Sequence, residues 1–253
     1  MYLQYFGFSN QPFSDTPDVR LFWEDHCSQL IFKSLLQGFA EKSILQLVIA
    51  EPGLGKSVLC RRLLNSLRSH RSRYNVLFMP FPNLTVTELL SSAMASTDCS
   101  RHKVLIIDEA QALSDSSLRE LMEALKQQDS NDPELQIVLF AQPELVDKLA
   151  DPEFEQIELL VSKRFDLPPL TAEQTAAYIN NRLTLTGVPP ETLMNHELAK
   201  LAYKFTGGIP RLINTLMRKS LLHAYEDQSP TLSADHLSRA ALSTAATVPG
   251  TVD

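Results

Sequence analysis

Short runs of mainly apolar residues recur along the first two-thirds of the chain, at Ile44 to Ile49, Asn75 to Phe81, Val104 to Ile107 and Leu135 to Ala141. Each has the length of a buried strand. Between them the apolar positions take helical spacing. Leu30, Ile31, Leu35 and Phe39 mark a helix from about Ser28 to Phe39. Cys60, Leu63, Leu64 and Leu67 mark a second, Thr85 to Ala95 a short third, and Leu118, Leu121, Met122 and Leu125 a fourth that Ser114 or Asp115 caps. A last short strand is expected from about Arg164 to Leu167, ending at Pro168-Pro169. Strands alternating with helices predict an α/β domain whose parallel sheet has helices on both faces.

From Thr171 the pattern is helical only. Thr171-Ala172-Glu173-Gln174 is a capping-box start, and Gly187 with Pro189 closes that helix. Leu198, Leu201, Ala202 and Phe205 mark the next, ended by Gly207-Gly208. Pro210 opens a third carrying Leu212, Ile213, Leu216, Met217 and Leu221, and Ser233 caps a fourth. The opening residues, with Tyr5, Phe6, Phe8, Pro12, Phe13, Pro17, Phe22 and Trp23, read as a strap packed on a core. The sharper alternative is that Pro12 to Pro17 covers an adenine ring. The expected division is a strap plus α/β domain over 1–169, a small all-helical lid domain over 170–243 and a flexible tail over 244–253.

With 253 residues, 44% of them hydrophobic, the chain can bury a full core. A formal net charge of −7 argues against a general attraction to nucleic acid or anionic lipid. It leaves room for a local patch. Arg61, Arg62, Arg68, Arg71 and Arg73 form the most basic stretch, either a solvated helix face or a surface for DNA or an acidic partner. Cys27, Cys60 and Cys99 are odd in number and lack C-x-x-C spacing, so reduced, buried thiols are expected. The six histidines show no metal-ligand spacing, and no Gly-x-Ser-x-Gly elbow is present. The first residues carry no basic leader, and no apolar run approaches the ~20 residues a bilayer needs, so a cytoplasmic protein without a membrane span is expected.

The chemistry concentrates where the first strand gives way to a helix, at Ala50-Glu51-Pro52-Gly53-Leu54-Gly55-Lys56-Ser57. Strand, tight glycine-bearing loop and helix start are the layout of a phosphate-binding (Walker A) loop. Small residues let the loop from Pro52 to Val58 surround phosphate oxygens with the backbone N–H groups of Gly53, Leu54, Gly55, Lys56, Ser57 and Val58, and the helix N-terminus adds a positive dipole end. In such a loop Lys56 is expected to reach the β- and γ-phosphates of ATP, and the Ser57 hydroxyl to hold Mg²⁺. Ala50 replaces the usual opening glycine, which requires a negative φ there. The strand Val104 to Ile107 ends in Asp108-Glu109, as a Walker B element does. Asp108 serves Mg²⁺, and Glu109 polarises the attacking water. Gln142 closes the strand Leu135 to Ala141, either beside Lys56 and Glu109 or as a cap for the helix that Pro143 opens. Arg211 stands in the first turn of a lid helix, where the dipole disfavours a cation. It is either solvated or placed to meet an anion.

Together these pieces resemble an AAA+ ATPase, and more narrowly the general secretion pathway protein A family with its shorter relatives of mannose-sensitive haemagglutinin (MSHA) type IV pilus biogenesis. The resemblance rests on Tyr5-Phe6-Gly7-Phe8 with Pro12-Phe13-Ser14 and Thr16-Pro17-Asp18, on the phosphate loop, and on Ile106-Ile107-Asp108-Glu109-Ala110-Gln111. It also rests on Gln142-Pro143-Glu144-Leu145, Leu167-Pro168-Pro169-Leu170 and Gly208-Ile209-Pro210-Arg211-Leu212-Ile213-Asn214. It implies that Gln142 senses the γ-phosphate and that Arg211 contacts phosphate from the lid, with ATP and Mg²⁺ as cofactors. It further implies a homo-oligomer that hydrolyses ATP to assist pilus or secretion assembly proteins. Two departures stand out. Leu159-Leu160-Val161 lies where relatives carry Gln-Arg-Ile, so no arginine finger is evident, and Lys163 and Arg164 are displaced toward the strand. The connection from Met94 to His102 is short where relatives have an extra helical segment, and the peptidoglycan-binding domain and membrane span of longer relatives are absent from this sequence. The rival expectations are a DNA-binding AAA+ regulator of the transposition target-selector type and an ATP-binding scaffold with little hydrolysis.

Overall fold

The computed structural model describes residues 2–14, 23, 25–81, 102–129 and 133–245. The helix expected over 85–95, Cys99, the Pro12-to-Pro17 segment beyond Ser14 and the tail beyond 245 lie outside them. In chain order the elements are α1 Tyr2–Tyr5, α2 His26–Ala40, β1 Leu45–Ile49, α3 Lys56–Ser69, β2 Tyr74–Met79, β3 His102–Ile107, α4 Asp115–Lys126, β4 Leu135–Ala141, α5 Glu144–Leu149, α6 Glu155–Leu160 and β5 Val161–Asp166. The helices α7 Ala172–Leu185, α8 His196–Thr206, α9 Pro210–Glu226 and α10 Ala234–Ala245 follow. The chain divides into two compact units, His26–Pro168 and Met1–Asp25 with Pro169–Asp253.

In the first unit all five strands are parallel, in the order β2-β3-β4-β1-β5. Every residue of β1 and β4 is buried, as strands inside a parallel sheet require. Two of those residues are glutamines. Gln46 Nε2 donates to Leu35 O at 3.3 Å, and Gln136 Nε2 donates to Phe39 O at 3.3 Å and Ser43 O at 3.1 Å, tying the end of α2 to the sheet. Gly38 makes room for this, since a Cβ there would lie 2.2 Å from Gln46 Oε1. β5, the edge strand beside β1, starts at Val161, before the expected Arg164, and alternates half-buried with exposed residues because successive side chains of a strand point to opposite faces of the sheet. Of the two candidates Ser114 and Asp115, Ser114 caps α4, its Oγ accepting from Ser117 N at 3.1 Å.

The opening segment, expected within a 1–169 domain, packs instead in the second unit. Phe8 and Phe13 are buried in one core with Leu170, Tyr178, Ile179, Met217 and Leu221, and Ser9 donates from both N and Oγ to Thr186 O. The physical reason is size. Four short helices enclose little apolar volume, and the aromatic strap supplies what they lack. The capping box at Thr171 and Gln174 forms in both directions. Gly207, at φ +58°, ends α8, and Gly208 follows at φ +77°. Leu170 N donates to Gly208 O at 3.0 Å, and a Cβ on Gly208 would lie 1.9 Å from Leu170 O, so only glycine fits. Among the described residues no helix is long and apolar enough to cross a membrane.

Candidate functional site

Strand order assembles the site. β4 lies between β1 and β3, with Ile49 opposite Ala141 and Ile107 opposite Leu139, so the C-terminal ends of the three strands stand in a row. The phosphate loop leaves β1, Gln142 leaves β4 and Asp108-Glu109 leave β3. The outer two strands are roughly 10 Å apart, within reach of one lysine side chain.

The loop enters α3 through two glycines in the left-handed region, Gly53 at φ +92° and Gly55 at φ +99°. Ala50 stays outside that region, as its side chain requires, and its N–H extends the sheet by donating to Ala141 O at 3.0 Å. Leu54 N donates to Glu51 O at 3.4 Å, closing the turn that carries Pro52 and Gly53. Val58 N and Leu59 N both donate to Gly55 O, which leaves the N–H groups of Lys56 and Ser57 without an intrahelical acceptor at a positive dipole end.

Lys56, only 5% exposed, donates from Nζ to Glu109 Oε1 at 2.8 Å and stands 3.7 Å from Asp108 Oδ1. Asp108 also accepts from the Ser57 hydroxyl and, at 3.0 Å, from Glu109 N. Glu109 Oε2 accepts from Gln111 Nε2 at 2.6 Å and Gln142 Nε2 at 3.1 Å, and Gln142 N donates to Gln111 Oε1 at 3.1 Å. The structure thus brings together Lys56, Ser57, Asp108, Glu109 and Gln142, and favours the strand-end reading of Gln142. Pro143, not Gln142, occupies the N-cap of α5.

Glu109 has φ +54° and ψ 40°, a left-handed conformation that costs a non-glycine residue roughly 1–2 kcal/mol. It turns the backbone from β3 into a short 3₁₀ turn, Ala110–Ala112, and that turn aims Gln111 back at Glu109. Gln111 was not singled out from the sequence as a site residue. Its signal there is that it closes the Ile106-to-Gln111 motif on which the resemblance rests, two residues beyond Glu109, and the left-handed turn that makes this matter is invisible in residue types.

The two adjacent carboxylates are pushed in opposite directions. Burial raises the pKa of Asp108 above the usual carboxylate range, outweighing Lys56 and the hydrogen bonds from Ser57 and Glu109 N. Burial also presses the pKa of Glu109 upward, but hydrogen bonds from Lys56, Gln111 and Gln142 overcome it and hold Glu109 below that range. A hydroxyl already bonded to a carboxylate, in a pocket with further hard oxygen atoms, suits Mg²⁺, which takes few protein ligands and completes its shell with water and phosphate. No cluster of three or more His, Cys, Asp or Glu that would cage a metal alone occurs among the described residues.

Arg211 lies in the other unit, exposed in the first turn of α9, with no acidic residue in that turn. Lys163 and Arg164 lie on β5. Lys163 pairs with Glu41 at 2.6 Å, and Arg164 is exposed, 4.0 Å from Asp166. In the basic stretch, Arg62 stacks over Phe32 at 4.0 Å and Arg73 over Tyr74 at 5.4 Å, while Arg61, Arg68, Arg71 and Arg73 are exposed. The thiols of Cys27 and Cys60 are reduced. Cys60 is buried, with its pKa pushed up by burial, whereas Cys27 is only partly buried, short of the expectation.

Sheet order, phosphate loop and strand-end carboxylates define a P-loop nucleotide-binding fold of the AAA+ type, followed by a helical unit. Residues 85–149 match a family model described as an AAA domain. In sequence the chain resembles general secretion pathway protein A of Aeromonas hydrophila, with 26% identity over 250 residues, 89% of this chain and 45% of that protein. The chain therefore spans less than half the length of the curated relative it matches. Among solved structures, Cdc6p from Pyrobaculum aerophilum has a TM-score of 0.69 at 16% identity, over 95% of this chain and 72% of that one. The Aeropyrum pernix ORC2 protein in its ADPNP-ADP complexes has 0.68 at 12%, over 96% and 74%. The Thermotoga maritima RuvB Holliday junction branch migration motor has 0.60 at 15%, over 86% and 68%. At these identities the structures support the fold alone.

Proposed function

We propose that the protein binds Mg²⁺-ATP and hydrolyses it, and that the energy serves the assembly of a secretion or type IV pilus machine. The observation that carries the reading is the convergence of Lys56, Glu109 and Gln142 on one point at the end of three parallel strands. Lys56 exchanges Glu109 for the β- and γ-phosphates of ATP, since phosphate offers it more negative charge. That exchange frees Glu109 Oε1 to orient the attacking water and take its proton. Ser57 and Asp108 hold Mg²⁺, which when bound offsets phosphate charge. Gln142 turns toward the γ-phosphate, and Arg211 of the lid supplies a further cation. The secretion context follows the likeness to general secretion pathway protein A, and the MSHA pilus branch is the narrower form of the proposal. The working form is a cytoplasmic homo-oligomer, with the domain limits at 169 and 243.

The test is phosphate release from ATP over a protein-concentration series, with and without duplex DNA, using Glu109→Gln as the blank. Turnover per subunit that rises with concentration and ignores DNA supports an oligomeric motor for a protein machine. Release no greater than the blank overturns hydrolysis and leaves an ATP-binding scaffold. Stimulation by DNA moves the function to a DNA-binding regulator. The exposed arginines between Arg61 and Arg73 favour that second reading, while the net charge of −7 weighs against it.

A further inference from the structure

The Glu109 carboxylate is held from two sides that differ in kind. Among the described residues Oε1 has one partner, the Lys56 ammonium at 2.8 Å, and Oε2 has two carboxamides, Gln111 at 2.6 Å and Gln142 at 3.1 Å. Lys56 and Gln142 are the two partners that the proposed reaction calls away to phosphate. Gln111 is not, because its other end is committed. Its Oε1 accepts the backbone N–H of Gln142 at 3.1 Å, the N–H that follows β4 directly. A carboxamide fixed by a main-chain donor at the end of a fully buried strand has little freedom to turn.

We infer that Gln111 is the positioning residue for Glu109: it holds Oε2 throughout, so that Oε1 faces the water once Lys56 has left. The inference rests on the hydrolysis reading above. Gln111 touches neither phosphate nor water in this role and acts only through Glu109. It also links the two strand ends, because the same amide that steers Glu109 is anchored to the backbone carrying Gln142. The left-handed turn at Glu109 gains a function from this. It is what folds residue 111 back within reach of residue 109.

The experiment measures phosphate release against ATP concentration for the full chain, Gln111→Met, Gln111→Glu and each of these combined with Glu109→Gln, together with equilibrium binding of a fluorescent ATP analogue. Gln111→Met keeps the length of the side chain and removes both hydrogen bonds. Gln111→Glu keeps the acceptor for Gln142 N–H and replaces the donor by a carboxylate facing Oε2. The expected result is a kcat lower by about ten- to hundredfold in both variants, less than the ~10²–10⁴ a positioned base supplies, with KM and analogue affinity within about twofold. In the Glu109→Gln background neither substitution lowers the residual rate further, since Gln111 acts through the residue already removed. A structural role would instead weaken binding along with turnover and would add to Glu109→Gln.

Unchanged kcat in a folded Gln111 variant, or an additive loss in the double variant, overturns the assignment while leaving hydrolysis standing. Absence of turnover in the unsubstituted protein overturns both. Should Gln111→Met not fold, Gln111→Glu, which keeps the polar bridge to Gln142, decides.

Discussion

Lys56 and Glu109, 53 positions apart in sequence, hold one another by a direct ion pair of 2.8 Å, so the cation we propose for phosphate and the carboxylate we propose for water neutralise each other across the end of β4. On the proposed reading ATP competes with Glu109 for Lys56. Replacing Lys56 by methionine removes a charged hydrogen bond to phosphate, worth ~1.5–3 kcal/mol, and ATP affinity is expected to fall about ten- to hundredfold. Calorimetric titration with a non-hydrolysable analogue checks this. Unchanged affinity would detach Lys56 from the nucleotide.

The opposed carboxylates give a stability prediction. The folded pKa of Asp108 is raised above its unfolded value, so ionising it opposes folding. The penalty is absent below the ordinary carboxylate range and grows as the pH rises from that range toward the raised folded pKa. Asp108→Asn, which removes the charge and keeps an acceptor for Ser57 and Glu109 N, should raise the thermal midpoint of the nucleotide-free protein at pH ~7. The difference should vanish as the pH is lowered to about 3.5. Melting curves of both proteins across that range test the sign, and a variant less stable at neutral pH would contradict it.

Ser57 and Asp108 make a further expectation specific to Mg²⁺. Ser57→Ala should leave the thermal midpoint without nucleotide within about 2 °C, a surface-sized change. It should weaken ATP binding in the presence of Mg²⁺ by about tenfold and leave binding in EDTA unaltered. Equal weakening under both conditions would assign Ser57 to phosphate alone.

Gly207 and Gly208 separate two reasons for glycine. Both have positive φ, but the space around a Cβ on Gly207 is open, while one on Gly208 runs into the backbone of Leu170. Urea unfolding should show Gly207→Ala costing about 1 kcal/mol and Gly208→Ala about 3 kcal/mol or more. Equal costs would mean that the approach of Leu170 relaxes freely.

Much of this was legible in the sequence because it is local. The phosphate loop, the caps at Ser114 and Thr171 and the span of β4 follow from residue types and spacing. What depends on how distant segments pair was not. Residue types alone left Gln142 divided between a cap and a site, only the family resemblance gave it a role, and strand order then sets it at the end of β4 beside Glu109. Gln111 was hidden by a single backbone angle at Glu109. The strap was read as packed on a core, but which core depends on the match between Phe8, Phe13 and the helices around Tyr178 and Met217.

The row of strand ends has a kinetic consequence. β1 pairs with β4, some ninety residues away, and β3 with β4, some thirty away, so no local hairpin or helix contains even half of the site. Such non-local pairings close late in folding. A nascent or partly unfolded chain therefore presents no nucleotide site, and ligand that recognises only the finished sheet shifts the unfolding equilibrium by RT ln(1 + [L]/Kd). On the proposed reading nucleotide affinity doubles as a gauge of complete folding, and a solution rich in ATP draws this chain toward its folded form.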